Sequence, residues 1–195
     1  APHFSIRVSD KYPFDPTIKT TLDIQKQQKI EALVKNYSTT LRNMNITNAS
    51  VIVINNHNRK IEAYVGSSDF NEVNNQGQVD GIKAIRSPGS TLKPLLFALA
   101  MDKGLFTPKM AISDVPVNFS GYRPENYDNQ YHGKITIEKA LALSLNVPAV
   151  KILDEIGVAY LTEKLSTAHF KCIEKNKTNV GLSIILGGCG VTLEE

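Results

Sequence analysis

From Asp23 onward the chain sorts its apolar residues into faces. Ile30, Leu33, Val34, Tyr37 and Leu41 recur at the spacing of one helical face, and Asp23 stands where a cap is needed, so a helix is predicted over about 24–42. Turn formers at 43–48 end it. Two β-branched runs follow, at 49–54 and 61–65, and the polar link between them predicts a β-hairpin. The first run is almost continuously apolar, which implies burial on both faces. Residues 67–81 are polar, Asn-rich and loop-like. The apolar stretch 92–101 reads as a buried helix stopped by Gly104.

Residues 105–135 mix proline, glycine, tyrosine and asparagine with little period, so they read as a long irregular segment of the kind usually kept for function. Helical patterning resumes behind Thr136, a candidate cap, through Ala140 to Leu143. It continues at 149–156 behind Pro148, and again at 158–170. Residues 181–190 are glycine-rich and apolar. Thr192 with Glu194 and Glu195 has the form of a helix opening. Residues 1–20 carry Pro2, Pro13 and Pro16 without sustained periodicity and read as an extended lead-in to a domain over 21–195.

Composition narrows the class. With 195 residues, 42% hydrophobic content and a net charge of +3, the chain is long enough for its own core and too apolar for disorder. No apolar stretch approaches the ~20 residues of a membrane span, and no secretory signal opens the chain. Twenty-two basic residues nearly balance nineteen acidic ones and are scattered, which argues against a nucleic-acid partner. Cys172 and Cys189 allow one disulfide at most; His169 near Cys172 has no second ligand pair, so two buried thiols are expected and no metal site. Glycosylation-type triplets at Asn36, Asn45, Asn48, Asn118 and Asn176 are what chance yields in an Asn-rich chain.

The chemistry concentrates at Arg86-Ser87-Pro88-Gly89-Ser90-Thr91-Leu92-Lys93-Pro94. Ser90 sits where a loop becomes a helix, and Lys93, three residues on, shares its face. A serine hydroxyl needs a neighbouring base to become a nucleophile. Lysine serves as that base when burial lowers its pKa, and unpaired N–H groups at the helix start suit a developing oxyanion. A second constellation, Ser144-Leu145-Asn146, precedes Val147-Pro148-Ala149-Val150. It projects a hydroxyl and an amide from a corner between two helices. Either pattern alone is weak; Ser90 reads equally as a plain helix-start serine and Ser144 to Asn146 as a polar helix break. Together, 54 residues apart, they are specific.

Ser-x-x-Lys followed by Ser-x-Asn resembles the penicillin-binding proteins and related active-site serine enzymes. The likeness covers most of the chain: Thr20-Thr21-Leu22-Asp23 is similar to the entry of their transpeptidase domain, and 49–65 to its first hairpin. Tyr122-Arg123-Pro124-Glu125-Asn126-Tyr127-Asp128 with His132-Gly133 resembles the bifunctional class A group. Asp114-Val115-Pro116 and 140–150 resemble its 1C type. The resemblance implies an α+β fold, a partial penicillin-binding/β-lactamase-like transpeptidase with a β-hairpin from the sheet and a helical portion. It implies a D,D-transpeptidase that cross-links peptidoglycan stem peptides, is acylated by β-lactams, uses no cofactor, and is anchored at the periplasmic face of the bacterial inner membrane. By it, Ser90 is the nucleophile, Lys93 its base, Ser144 the proton relay and Asn146 the binder of the substrate amide.

One departure matters. The family's third motif, Lys-Thr/Ser-Gly, does not occur; the nearest string, Lys177-Thr178-Asn179, lacks the glycine. The chain is therefore expected to be the N-terminal part of a transpeptidase domain, without the preceding glycosyltransferase domain. Its hairpin should offer an open edge for self-association. Its oxyanion hole should be half built, with slow or undetectable acylation, since one lost donor costs ~10²–10³ in rate. A non-catalytic sensor of β-lactams or cell-wall fragments, and an interaction domain with accidental motifs, are the competing readings.

Overall fold

The structure, a computed structural model, describes residues 1–175 and 180–195. Asn176 and the Lys177-Thr178-Asn179 string lie outside the described residues. The fold is α+β, and the chain divides into two compact units, residues 1–85 with 192–194 and residues 86–191 with 195.

The first unit holds α1 (Pro2–Lys11), α2 (Ile24–Leu41), β1 (Val51–Ile54) and β2 (Ile61–Val65). Residues 2–11 are thus helical rather than extended. Pro2 occupies the first turn, where its missing N–H is no loss. The face that α1 presents is polar and aromatic, which hides it from an apolar periodicity. His3 is buried, the Phe4 ring lies 5.5 Å from that of Tyr64, and the Arg7 guanidinium lies 5.6 Å from the Tyr64 centroid. The cap of α2 is as expected: the Asp23 carboxylate accepts the N–H groups of Gln25 and Lys26, each at 3.0 Å.

The hairpin forms with Val51 opposite Val65 and a register irregularity at Ile54. Expected burial of the first strand on both faces does not hold: β1 is half-buried and Ile54 exposed, while β2 buries Ala63, Tyr64 and Val65. Gln27, reaching from α2, seals the outer edge of β2. Its Oε1 accepts the Tyr64 N–H at 2.7 Å and its Nε2 donates to the Tyr64 carbonyl at 3.0 Å.

The second unit runs α3 (Lys93–Asp102), β3 (Ala111–Asp114), β4 (Gly133–Thr136), α4 (Ile137–Ala142), α5 (Asn146–Ile156), α6 (Val158–Thr167) and α7 (Lys171–Lys175). Its core surrounds α5. Ala149, Val150, Ile152 and Leu153 are fully buried in one cluster with Leu96 and Phe97 of α3, Leu161 and Leu165 of α6, and Ile184 and Ile185 of a 3-10 turn.

The segment 105–135 is not wholly irregular, because β3 and β4 pair antiparallel, Ala111 opposite Thr136 through Asp114 opposite Gly133. Each strand is four residues long with one large apolar residue, too little for a readable period. Helix α5 opens at Asn146, earlier than Pro148 suggested; a proline in the first turn breaks no helical bond. The single helix expected over 158–170 is interrupted after Thr167, where His169 adopts φ +66°. Residues 191–195 are not helical: Val191 exchanges two backbone hydrogen bonds with Arg86, at 2.8 and 2.9 Å.

Candidate active site

Lys93 is the first residue of α3 and only 1% exposed, inside the second unit. It is poised by the tight turn before it. Gly89 takes φ +54°, a conformation glycine adopts without strain. The Thr91 N–H then bonds to the Pro88 carbonyl and the Lys93 N–H to the Ser90 carbonyl, each at 3.1 Å. Ser87 donates its hydroxyl to the Gly187 carbonyl at 2.9 Å, anchoring the stretch before the turn. Ser90 therefore rides on an exposed turn at the head of α3.

The facing wall is the corner between α4 and α5. Thr136 caps α4 through the Lys139 N–H. After Ala142 the chain turns through Ser144, which adopts φ +53° and is exposed, before α5 starts at Asn146. Into this corner Lys93 sends its amine: Nζ donates to the Ser144 carbonyl at 2.6 Å and to Asn146 Oδ1 at 2.7 Å, with Ser144 Oγ at 3.4 Å.

The structure thus brings Lys93, Ser144 and Asn146 together by direct hydrogen bonds. It places Ser90 on the turn above the lysine; among the described residues no hydrogen bond joins the Ser90 hydroxyl to Lys93 or Ser144. Burial pushes the Lys93 amine down from its ordinary value to about 8. No carboxylate opposes that shift, so the amine can lose its proton near neutrality. Among the described residues the Ser90 N–H is also left over by the turn, an unpaired donor beside its own hydroxyl.

Sequence reasoning missed a second layer. The Asn146 Nδ2 donates to the Glu125 carbonyl at 2.8 Å, which turns its Oδ1 toward Lys93. The Asn146 N–H goes to Asn126 Oδ1 at 2.8 Å, and Asn126 is bound by the buried Asp114 carboxylate. Both residues lie in stretches that carried the family resemblance. The signal available was polar residues in a segment long enough to be functional.

Among the described residues no cluster of three His, Cys, Asp or Glu side chains could hold a metal ion. Cys172 and Cys189 are half-buried thiols whose pKa values burial raises. No helix among the described residues is long and apolar enough to cross a membrane.

Comparison with known proteins shows the family. Residues 49–188 match the family described as the penicillin binding protein transpeptidase domain. The whole chain is 38% identical to penicillin-binding protein 1C of Escherichia coli, covering 25% of that protein. It is 32% identical over 173 residues to penicillin-binding protein 1F of Bacillus subtilis, covering 88% of this chain and 23% of the relative. The chain therefore spans about a quarter of the length of these relatives. Among solved structures, PonA1 of Mycobacterium tuberculosis in complex with penicillin V superposes with a TM-score of 0.71 at 18% identity, over 95% of this chain and 52% of that one.

Proposed function

The chain belongs to the penicillin-binding protein transpeptidase family, and on that premise we propose that it carries the acyl-serine centre of a peptidoglycan D,D-transpeptidase. The observation that carries the reading is the buried Lys93 amine, held between the Ser144 carbonyl and Asn146 Oδ1 under an exposed serine turn. Ser90 is the nucleophile and Lys93 its base. With a pKa of about 8 the amine is neutral in roughly one molecule in ten at pH 7, enough to accept the Ser90 proton as the bond to carbon forms.

Ser90 Oγ attacks the penultimate D-alanine carbonyl of a stem peptide, and the Ser90 N–H supports the oxyanion. The C–N bond then breaks. Ser144 passes the proton from Lys93 to the departing D-alanine amine. An amine of a second strand attacks the acyl-serine ester, gives up its proton through the same pair and restores the Ser90 hydroxyl. Asn146 holds the substrate amide while its own orientation is fixed by Glu125. A β-lactam enters by the first step, its ring amide taking the place of the peptide.

The protein works at the periplasmic face of the bacterial inner membrane. The outer edge of β1, which among the described residues carries no backbone partner beyond β2, favours pairing with a second copy. Intact-mass measurement after incubation with a penicillin, followed by peptide mapping, tests the chemistry. The expected result is one adduct on the Ser90 peptide, absent in Ser90→Ala. An adduct that persists in Ser90→Ala contradicts it. Transfer of the acyl group to an added amino acid separates an enzyme from a sensor, and sedimentation at high concentration checks self-association.

A further inference from the structure

The corner that presents Asn146 to Lys93 is not held by its own helix. Leu145, the cap position of α5, offers no side-chain acceptor to the first-turn N–H groups, and those groups need a partner from elsewhere. Asn126 supplies it from 20 residues upstream, with its side chain 2% exposed. Its Oδ1 accepts the N–H of Asn146 at 2.8 Å and of Val147 at 3.3 Å. Its Nδ2 donates to both oxygens of Asp114, at 2.9 and 3.0 Å, and to the Gln130 carbonyl at 2.8 Å. Acceptors surround the nitrogen and donors surround the oxygen, so the amide has a single orientation.

Asp114 is fully buried at the end of β3. Beyond Asn126, its Oδ2 accepts the His132 N–H and faces His132 Nδ1, each at 2.9 Å. A buried carboxylate is costly unless its oxygens are hydrogen-bonded, and here both are. A fully satisfied buried network of this kind is rigid. The neighbouring residue of the same turn, Glu125, takes the Asn146 side chain through its carbonyl. Two consecutive residues therefore grip Asn146 by main chain and side chain and turn its Oδ1 toward the lysine.

We infer that Asp114 and Asn126 form a buried clamp that sets the Ser144–Asn146 corner against Lys93, and that both are positioning residues for the acyl transfer. The link to acyl transfer rests on the transpeptidase reading; the hold on Lys93 does not. A chain of fixed groups between a strand end and a reacting amine matters because displacement of a catalytic group by about 1 Å costs on the order of a hundredfold in rate.

The donor and acceptor pattern supplies the test. Asn126→Asp sets a carboxylate against the Asp114 carboxylate and breaks the clamp. The double variant Asp114→Asn with Asn126→Asp relieves the charge clash, since the new amide donates to the new carboxylate, which still accepts the two α5 N–H groups. The carboxylate loses the bond to the Gln130 carbonyl, so the clamp is rebuilt in part. Two quantities are read on the 195-residue chain: the rate of penicillin acylation and the Cε and Nζ resonances of Lys93. Asn126→Asp is expected to slow acylation about ten- to a hundredfold and to move the Lys93 resonances to those of an exposed lysine, with the double variant recovering part of both. Asp114→Asn alone, a milder change, moves both in the same direction and serves if Asn126→Asp does not fold.

Unmoved Lys93 resonances in a folded single variant, or a double variant no better than Asn126→Asp, overturn the clamp. If penicillin labels Ser90→Ala as it labels the wild type, the transpeptidase reading fails, while the Lys93 resonances still decide the clamp.

Discussion

Two buried side-chain amides do the same physical job in the two units and lead to opposite ends. In the first unit Gln27 takes both backbone groups of Tyr64, and the Tyr64 hydroxyl donates to Asp80 at 2.6 Å. That network locks β2 to α2 and runs on through Gln27 Nε2 to Glu31, which pairs with the Ala1 ammonium. In the second unit Asn126 takes the first N–H groups of α5, and the network continues through Asn146 to the buried Lys93 amine, with Ser144 Oγ 3.4 Å from it. The first network ends on an ion pair and makes structure; the second ends on a desolvated amine, the group that the proposed mechanism uses as its base. Burial of a polar residue therefore says little until its last partner is known.

Breaking the second unit's network has the largest effect. Lys93→Met removes the proposed base and is expected to lower penicillin acylation by about 10²–10⁴-fold, the range general bases contribute, as read from the time course of intact mass. Gln27→Ala breaks the first unit's network instead. It strands the buried Tyr64 N–H and carbonyl, so denaturant unfolding should show a loss of about 2 kcal/mol with the acylation rate unchanged. Equal effects of the two substitutions on acylation would erase the distinction between the networks.

A smaller effect sharpens the comparison through pH. The Lys93 pKa is lowered on folding from 10.5 to about 8, so between those values the unfolded chain binds more protons than the folded one. Stability attributable to Lys93 therefore rises with pH across that window and is flat below it. The difference in unfolding free energy between wild type and Lys93→Met, followed from pH 7 to 10.5, isolates it from other titrating groups. The smallest effect belongs to a local cap: Asp23→Ala should cost about 1 kcal/mol through the Gln25 and Lys26 N–H groups, seen in the same unfolding assay.

What could be read in the sequence divides along the same line. Asp23 and Thr136 cap helices that begin immediately after them, and Ser144 to Asn146 is a corner because α4 ends before it and α5 starts at it. Each of these depends on neighbours within a few residues. The α1 helix escaped because Phe4 and Arg7 face Tyr64, and His3 faces Phe70, with polar and aromatic groups instead of an apolar stripe. The β3–β4 pair escaped because its strands are short and 19 to 25 residues apart where they meet. Asn126 escaped for the deepest reason: an asparagine in a loop looks like any turn former, and only the spatial approach of α5 makes it a cap.

The central claim is that Lys93 is a desolvated amine held by the Ser144–Asn146 corner. A chemical-shift titration of the Lys93 Cε and Nζ in the folded chain measures this without requiring any acylation. The account predicts a midpoint of about 8; a midpoint at the ordinary lysine value of 10.5 would contradict it.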